Sequence, residues 1–145
     1  MDLVDKLSPR GLDCLCGNLR MAARAVTAVY DSHLRPAGLQ ASQLAVLWAV
    51  AGLRGETVSR IAAKLAMHDT ALVRNLRVLE GRGWVSINVG SDRRQRLVDL
   101  TPSGREVFAR ALPLWMRAQK RVDAVLSDGV AEMNTRLLDL TRQVA

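Results

Sequence analysis

Apolar positions recur along most of this chain at helical spacing, and the period changes only once. From Leu12 to about Leu34 they fall at Leu12, Leu15, Cys16, Leu19, Ala22, Ala23, Val26, Val29, Tyr30 and His33, three and four residues apart, which predicts a helix. "LRPAGLQ" stops it: Pro36 disfavours helix at Arg35, and Gly38 permits a left-handed turn. "LQASQLAVLWAVAGL" predicts a second, very apolar helix ending near Gly52. In "GETVSRIAAKLAM", Thr57 or Ser59 is the candidate cap of a short third helix with Ile61, Ala62 and Leu65 inward. "TALVRNLRVLEGRG" predicts a fourth, with Leu72, Leu76 and Leu79 on one face and Arg74, Asn75, Arg77 and Arg82 left outside; Gly81 and Gly83 end it.

The period then shifts to two. Val85, Ile87 and Val89 alternate with small polar residues in "WVSINV", which predicts a strand. "GSDRRQR" is a charged turn and "LVDLT" a second short run, so the pair predicts a β-hairpin with a basic tip. Helical spacing returns in "TPSGREVFARALPLWMRAQKRVDAVL", with Thr101 as N-cap, Pro102 at the first helical position and Pro113 as a point of bending. "SDG" breaks that helix. A last one carries the stripe Val130, Met133, Leu137, Leu140 and Val144.

A short helix, a turn and an arginine-bearing helix make a helix-turn-helix, and a hairpin directly after it makes a winged helix. Charge supports this. The 145-residue chain has a formal net charge of +7, and of its 21 basic residues only Lys6, Lys64 and Lys120 are lysines. From Arg54 to Arg96 there are nine basic residues against four acidic ones, Glu56, Asp69, Glu80 and Asp92. Arginine forks suit phosphates and base edges, so double-stranded DNA is the expected partner. The expected fold class is mainly α with a small β-hairpin.

Other classes have little support. No Ser/His/Asp constellation, phosphate-cradling glycine loop or HExxH motif appears, so neither an enzyme, a cofactor nor a metal is expected. No apolar run approaches the roughly 18 residues of a membrane span, and "MDLVDKLSPR" lacks the pattern of a signal peptide. Two cysteines make no disulfide framework. The expectation is a cytoplasmic, reduced protein without membrane contact.

The chain resembles the MarR-type winged-helix transcriptional regulators. "SDRRQRLVDLT" is similar to their wing signature, here Asp92, Arg94, Leu100 and Thr101. "TALVRNLRVLEGRGWV" resembles their recognition helix and its exit, and "TPSGREVF" the start of their long fifth helix. The resemblance covers nearly the whole chain. It implies a homodimer that binds a pseudo-palindromic operator, acts as a repressor and is released by a small-molecule or redox signal. It implies a helical dimerisation region at about 10–35 and 102–145, and a winged helix-turn-helix at about 39–101, within one domain. It assigns Arg94 to the minor groove, with Asp92 orienting it. The candidate DNA-binding residues are Thr70, Arg74, Asn75, Arg77, Arg82, Asp92, Arg93, Arg94 and Arg96. One departure stands out: Asp69 occupies a position where the family commonly has a basic residue, and it is read as the N-cap of the fourth helix. The competing reading is a winged-helix interaction module with little specific DNA binding.

A pocket for the effector is expected between the dimerisation helices and the winged helix, lined by Tyr30, His33, Trp48 and Trp115. Cys14 and Cys16 are the candidate thiol sensor. Read as helical, they point about 200° apart and so neither chelate a metal nor pair locally. Cys16 then joins Leu12, Leu19 and Ala23 on one apolar face, and Cys14 joins Met21, Ala25 and Ala28 on the other. At least one thiol is expected in the core, and a helix with two apolar faces needs two partners.

Overall fold

The computed structural model describes residues 13–145; Leu12, and with it the predicted start of the first helix, lies outside the described residues. Among them, six helices and a three-stranded sheet follow in the order α1 (Leu15–Leu34), α2 (Ala41–Gly52), β1 (Glu56–Thr57), α3 (Val58–Lys64), α4 (Asp69–Gly81), β2 (Val85–Val89), β3 (Arg96–Leu100), α5 (Pro102–Asp123) and α6 (Gly129–Val144).

The corner after α1 is built by the residues that predicted it. Gly38 takes φ +71°, and Asp31 Oδ1 accepts from the Ala41 N–H at 2.6 Å, which docks the start of α2 on the end of α1. Arg35 differs from expectation. Pro36 does not expel it from helical backbone, because a 3-10 turn over Arg35–Ala37 carries the chain one turn further before Gly38.

The core lies beneath the winged helix. Leu34, Leu47, Ile61, Leu72, Leu76, Leu79, Val98 and Val107 are fully buried. α2 runs through its middle, which explains why that helix is apolar nearly all round. β3 is the central strand, pairing antiparallel with β2 (Val85↔Leu100, Ile87↔Val98) and with β1 (Glu56↔Val98, Thr57↔Leu97). The alternation of β2 fades outward: Val85 is buried, Ile87 half-buried and Val89 exposed, as a hairpin leaving the body requires.

The hairpin is locked to α5 at Thr101. Its N–H donates to the Trp84 carbonyl at 3.1 Å, its hydroxyl donates to the Gly83 carbonyl at 2.5 Å, and the same oxygen accepts from the Gly104 N–H at 3.0 Å as the helix cap. α5 then runs 22 residues with Pro113 inside it, and the Tyr30 hydroxyl donates to Gln119 Oε1, joining α1 to α5.

The outer helices are thinly covered. α1 buries only Leu34 and α6 only Val130; Met133 and Leu137 of the predicted stripe are exposed, and Val144 is 75% exposed. The reading of the cysteines changes accordingly. Cys14 is not within the helix but at its N-cap, in extended backbone, with Sγ accepting from the Gly17 N–H at 3.5 Å. The angular separation expected of two helical residues therefore does not apply to the pair. Both thiols are exposed, so neither belongs to the chain's own core.

Candidate nucleic-acid interface and effector cleft

Thr57 caps α3, its side chain accepting from the Arg60 N–H at 3.3 Å. α3 ends in a Schellman turn: Ala66 N–H donates to Ala63 O at 3.2 Å and Met67 N–H to Ala62 O at 2.9 Å. That turn puts Ala66 at φ +51°, a left-handed residue that is not glycine. α4 starts directly after it. Its N-cap is His68, which makes no side-chain capping bond, and Asp69 is the first helical residue. The expected cap role of Asp69 is thus corrected: its Oδ2 accepts instead from the Ser59 hydroxyl at 2.7 Å, tying α4 to α3.

The inner face of α4 is Leu72, Leu76 and Leu79, all buried. Its outer face carries a shallow open groove lined by Asp69, Thr70, Val73, Arg74, Arg77 and Val78. Asn75 stands half-buried, its Nδ2 donating to the Ala71 carbonyl at 3.1 Å. Arg82 is engaged within the chain: Nη1 donates to the Gly38 carbonyl at 2.7 Å, and the guanidinium lies 4.8 Å over the Trp84 ring.

At the hairpin tip, Asp92 does not hold the Arg94 guanidinium, as expected of it. Its Oδ1 accepts from the Arg94 backbone N–H at 3.0 Å, so it shapes the turn and leaves the side chain free. Arg96 folds back, Nη1 donating to the Arg93 and Gln95 carbonyls at 2.9 and 3.2 Å. Among the described residues, none pairs with the side chains of Arg74, Arg77, Arg93 or Arg94, and all four are exposed. On α4 and at the hairpin tip, these four are the cations left available among the described residues.

Between the winged helix and the outer helices lies an open cleft of about 900 Å³. Tyr30, Trp48 and Trp115 line it as expected. Trp48 packs edge-on against Trp115 (centroids 4.9 Å apart) and Phe108 (5.6 Å). Burial raises the Tyr30 pKa above its ordinary value. His33 is not in the cleft: its Nδ1 donates to the Val29 carbonyl at 2.8 Å, turning the ring back along α1. The sequence reading missed Lys64, Asn134, Leu137 and Leu138, which also line the cleft. Lys64 ends α3, and the other three stand on α6, which faces α2 and α3 across the cleft; the apolar stripe of α6 is the one sequence signal for them.

Among the described residues, no His/Cys/Asp/Glu cluster has the arrangement of a metal site, and no helix is long and apolar enough to cross a membrane.

Residues 39–104 match a family described as winged helix DNA-binding domain. The chain is 33% identical to the transcriptional regulator MosR of M. tuberculosis, solved in complex with DNA, with a TM-score of 0.83 over 90% of this chain and 96% of that one. The transcriptional repressor CouR, solved on a 23-mer DNA duplex, is 28% identical with a TM-score of 0.75, over 91% of this chain and 92% of its own. The HTH-type transcriptional regulator YwoH of Bacillus subtilis is 29% identical over 94 residues, which are 65% of this chain and 69% of the relative.

Proposed function

The chain belongs to the MarR-type winged-helix transcriptional regulators, and from that premise we propose that it is a homodimeric repressor acting in the cytoplasm on a pseudo-palindromic DNA operator. The observation that carries this is the set of unpaired, exposed guanidinium groups on the two elements a winged helix brings to DNA: Arg74 and Arg77 on α4, Arg93 and Arg94 at the hairpin tip. Thr70, Arg74 and Arg77 face the major groove, with Asn75 beside them. Arg94 enters the minor groove, where the negative potential is strongest. Asp92 fixes the turn that presents it, and Arg93 meets phosphate. Arg82 and Arg96 brace the interface from within.

Dimerisation is supported by apolar surface the chain does not cover. Leu15 on α1 is 61% exposed, Met116 on α5 62% and Leu138 on α6 61%, large apolar side chains on three helices that a second copy of the chain would cover. We assign α1, α5 and α6 to the dimer, and 39–101 to the winged helix-turn-helix. The cleft lined by Tyr30, Trp48 and Trp115 sits between the two parts and suits a small, largely apolar effector. An effector filling it would shift α6 relative to the winged helix and change the spacing of the two recognition helices, which must match half-sites about one helical turn apart. The exposed thiols of Cys14 and Cys16 are the site of a second, redox input.

Promoter DNA titrated at rising salt tests this reading. Affinity should fall steeply between low and moderate salt; Arg93→Ala should lower the salt slope by about 1, and Arg74→Ala should cost about 1–3 kcal/mol of affinity and relax the base preference. Flat affinity across that range would leave only the interaction-module reading.

A further inference from the structure

Asp69 presents an oddity that the proposed function does not absorb. It is exposed, it opens α4, and it lines the same outer groove as Thr70, Arg74 and Arg77. A helix-turn-helix delivers the N-terminal part of this helix to base edges, so a carboxylate stands where polyanionic DNA is closest. Facing phosphate, it would only repel. Yet it is held in place: Ser59 Oγ donates to its Oδ2 at 2.7 Å, and among the described residues Oδ1 has no partner.

An ionised carboxylate only accepts hydrogen bonds. In the major groove, cytosine offers the N4 amino group as a donor. Guanine shows two acceptors, thymine an acceptor and a methyl group, and adenine sets the N7 acceptor beside its N6 donor. Oδ1 is therefore matched by cytosine and opposed most strongly by guanine. Arg74 and Arg77 on the same face supply the attraction that keeps an acid tolerable there.

We infer that Asp69 is a specificity-determining residue that selects cytosine at one position of each operator half-site, and that Ser59 is the positioning residue that aims it. This rests on the reading of α4 as the DNA-contacting helix.

Selection from a randomised duplex library with the full chain tests it. The wild type enriches an inverted repeat with cytosine at one symmetric position, preferred about fivefold or more per half-site. Asp69→Ala keeps the rest of the motif and loses that preference. Asp69→Asn, close in shape, moves it to adenine, whose N6 and N7 an amide matches. Ser59→Ala weakens it without changing the base preferred. Thermal unfolding of each variant identifies any that fail to fold, and the near-isosteric Asp69→Asn keeps the question decidable. An unchanged motif in Asp69→Ala and Asp69→Asn, with or without a uniform gain in affinity, overturns the inference alone. A wild type that enriches no motif overturns the DNA reading itself.

Discussion

A side chain on Gly104 would collide with the backbone of Trp84: a Cβ there would lie 1.9 Å from the Trp84 carbonyl oxygen. The first turn of α5 and the root of the hairpin touch backbone to backbone at this point, and the Thr101 bonds to Gly83 and Trp84 depend on that approach. Backbone cannot swing aside as a side-chain tip can. Gly104→Ala should therefore lower the unfolding free energy by about 3 kcal/mol, read as a shift in denaturant midpoint. Its DNA affinity should fall as well, because the hairpin loses its seat.

Ala66 calls for the opposite substitution. It holds the left-handed position of a complete Schellman turn, where glycine carries no Cβ penalty. Ala66→Gly should stabilise the fold by about 0.5–1 kcal/mol, the relieved strain exceeding the extra chain entropy that glycine loses on folding. Thermal unfolding at neutral pH measures this; an unchanged or lower midpoint would show the strain to be negligible.

Tyr30 gives a pH dependence. Burial raises its pKa in the folded chain, so the neutral phenol is the form that folding favours. Its contribution is complete below the ordinary tyrosine pKa near 10 and is lost as pH rises through the higher folded value. In Tyr30→Phe that alkaline loss should disappear. The variant should also give up about 1 kcal/mol at pH 8, the net worth of the Gln119 hydrogen bond. Urea unfolding of both proteins at pH 8 and above pH 10 separates the two effects.

The thiols are tested together. A serine oxygen is a better N-cap acceptor than the Cys14 sulfur, so Cys14→Ser/Cys16→Ser should fold and bind DNA in reductant as the parent does. If either thiol transmits an oxidant, the double variant should keep its DNA under peroxide while the wild type lets go. Equal release by both proteins would remove the redox input and leave the cleft alone.

How much of this was legible in the sequence follows from the range of each signal. Leu72, Leu76 and Leu79 lie three and four residues apart, so the buried face of α4 was readable at a glance, and the alternation of Val85 and Ile87 announced the hairpin. β1 was not readable, because its two residues earn their strand geometry from Val98 and Leu97, forty residues on. Asp69 looked like a cap because the type fits; its partner Ser59 lies ten residues back, and only the turn between α3 and α4 unites them. His33 fell on the apolar stripe by count, but a local hydrogen bond to Val29 turned it away. The cysteines were misread by a single position, since the helix begins at Leu15 rather than before Cys14. The spacing of Asp92 and Arg94 suggests a carboxylate on the guanidinium, but at two residues' separation inside a turn the carboxylate meets the backbone N–H instead.

Arg82, held between the Gly38 carbonyl and the Trp84 ring, fastens the corner after α1 to the root of the hairpin. One guanidinium thus ties two segments that lie 44 residues apart in the chain. The hairpin strand runs five residues from that root, roughly 16 Å at about 3.3 Å per residue. At that length, each degree of tilt at the root sweeps the arginine-bearing tip through about 0.3 Å of arc.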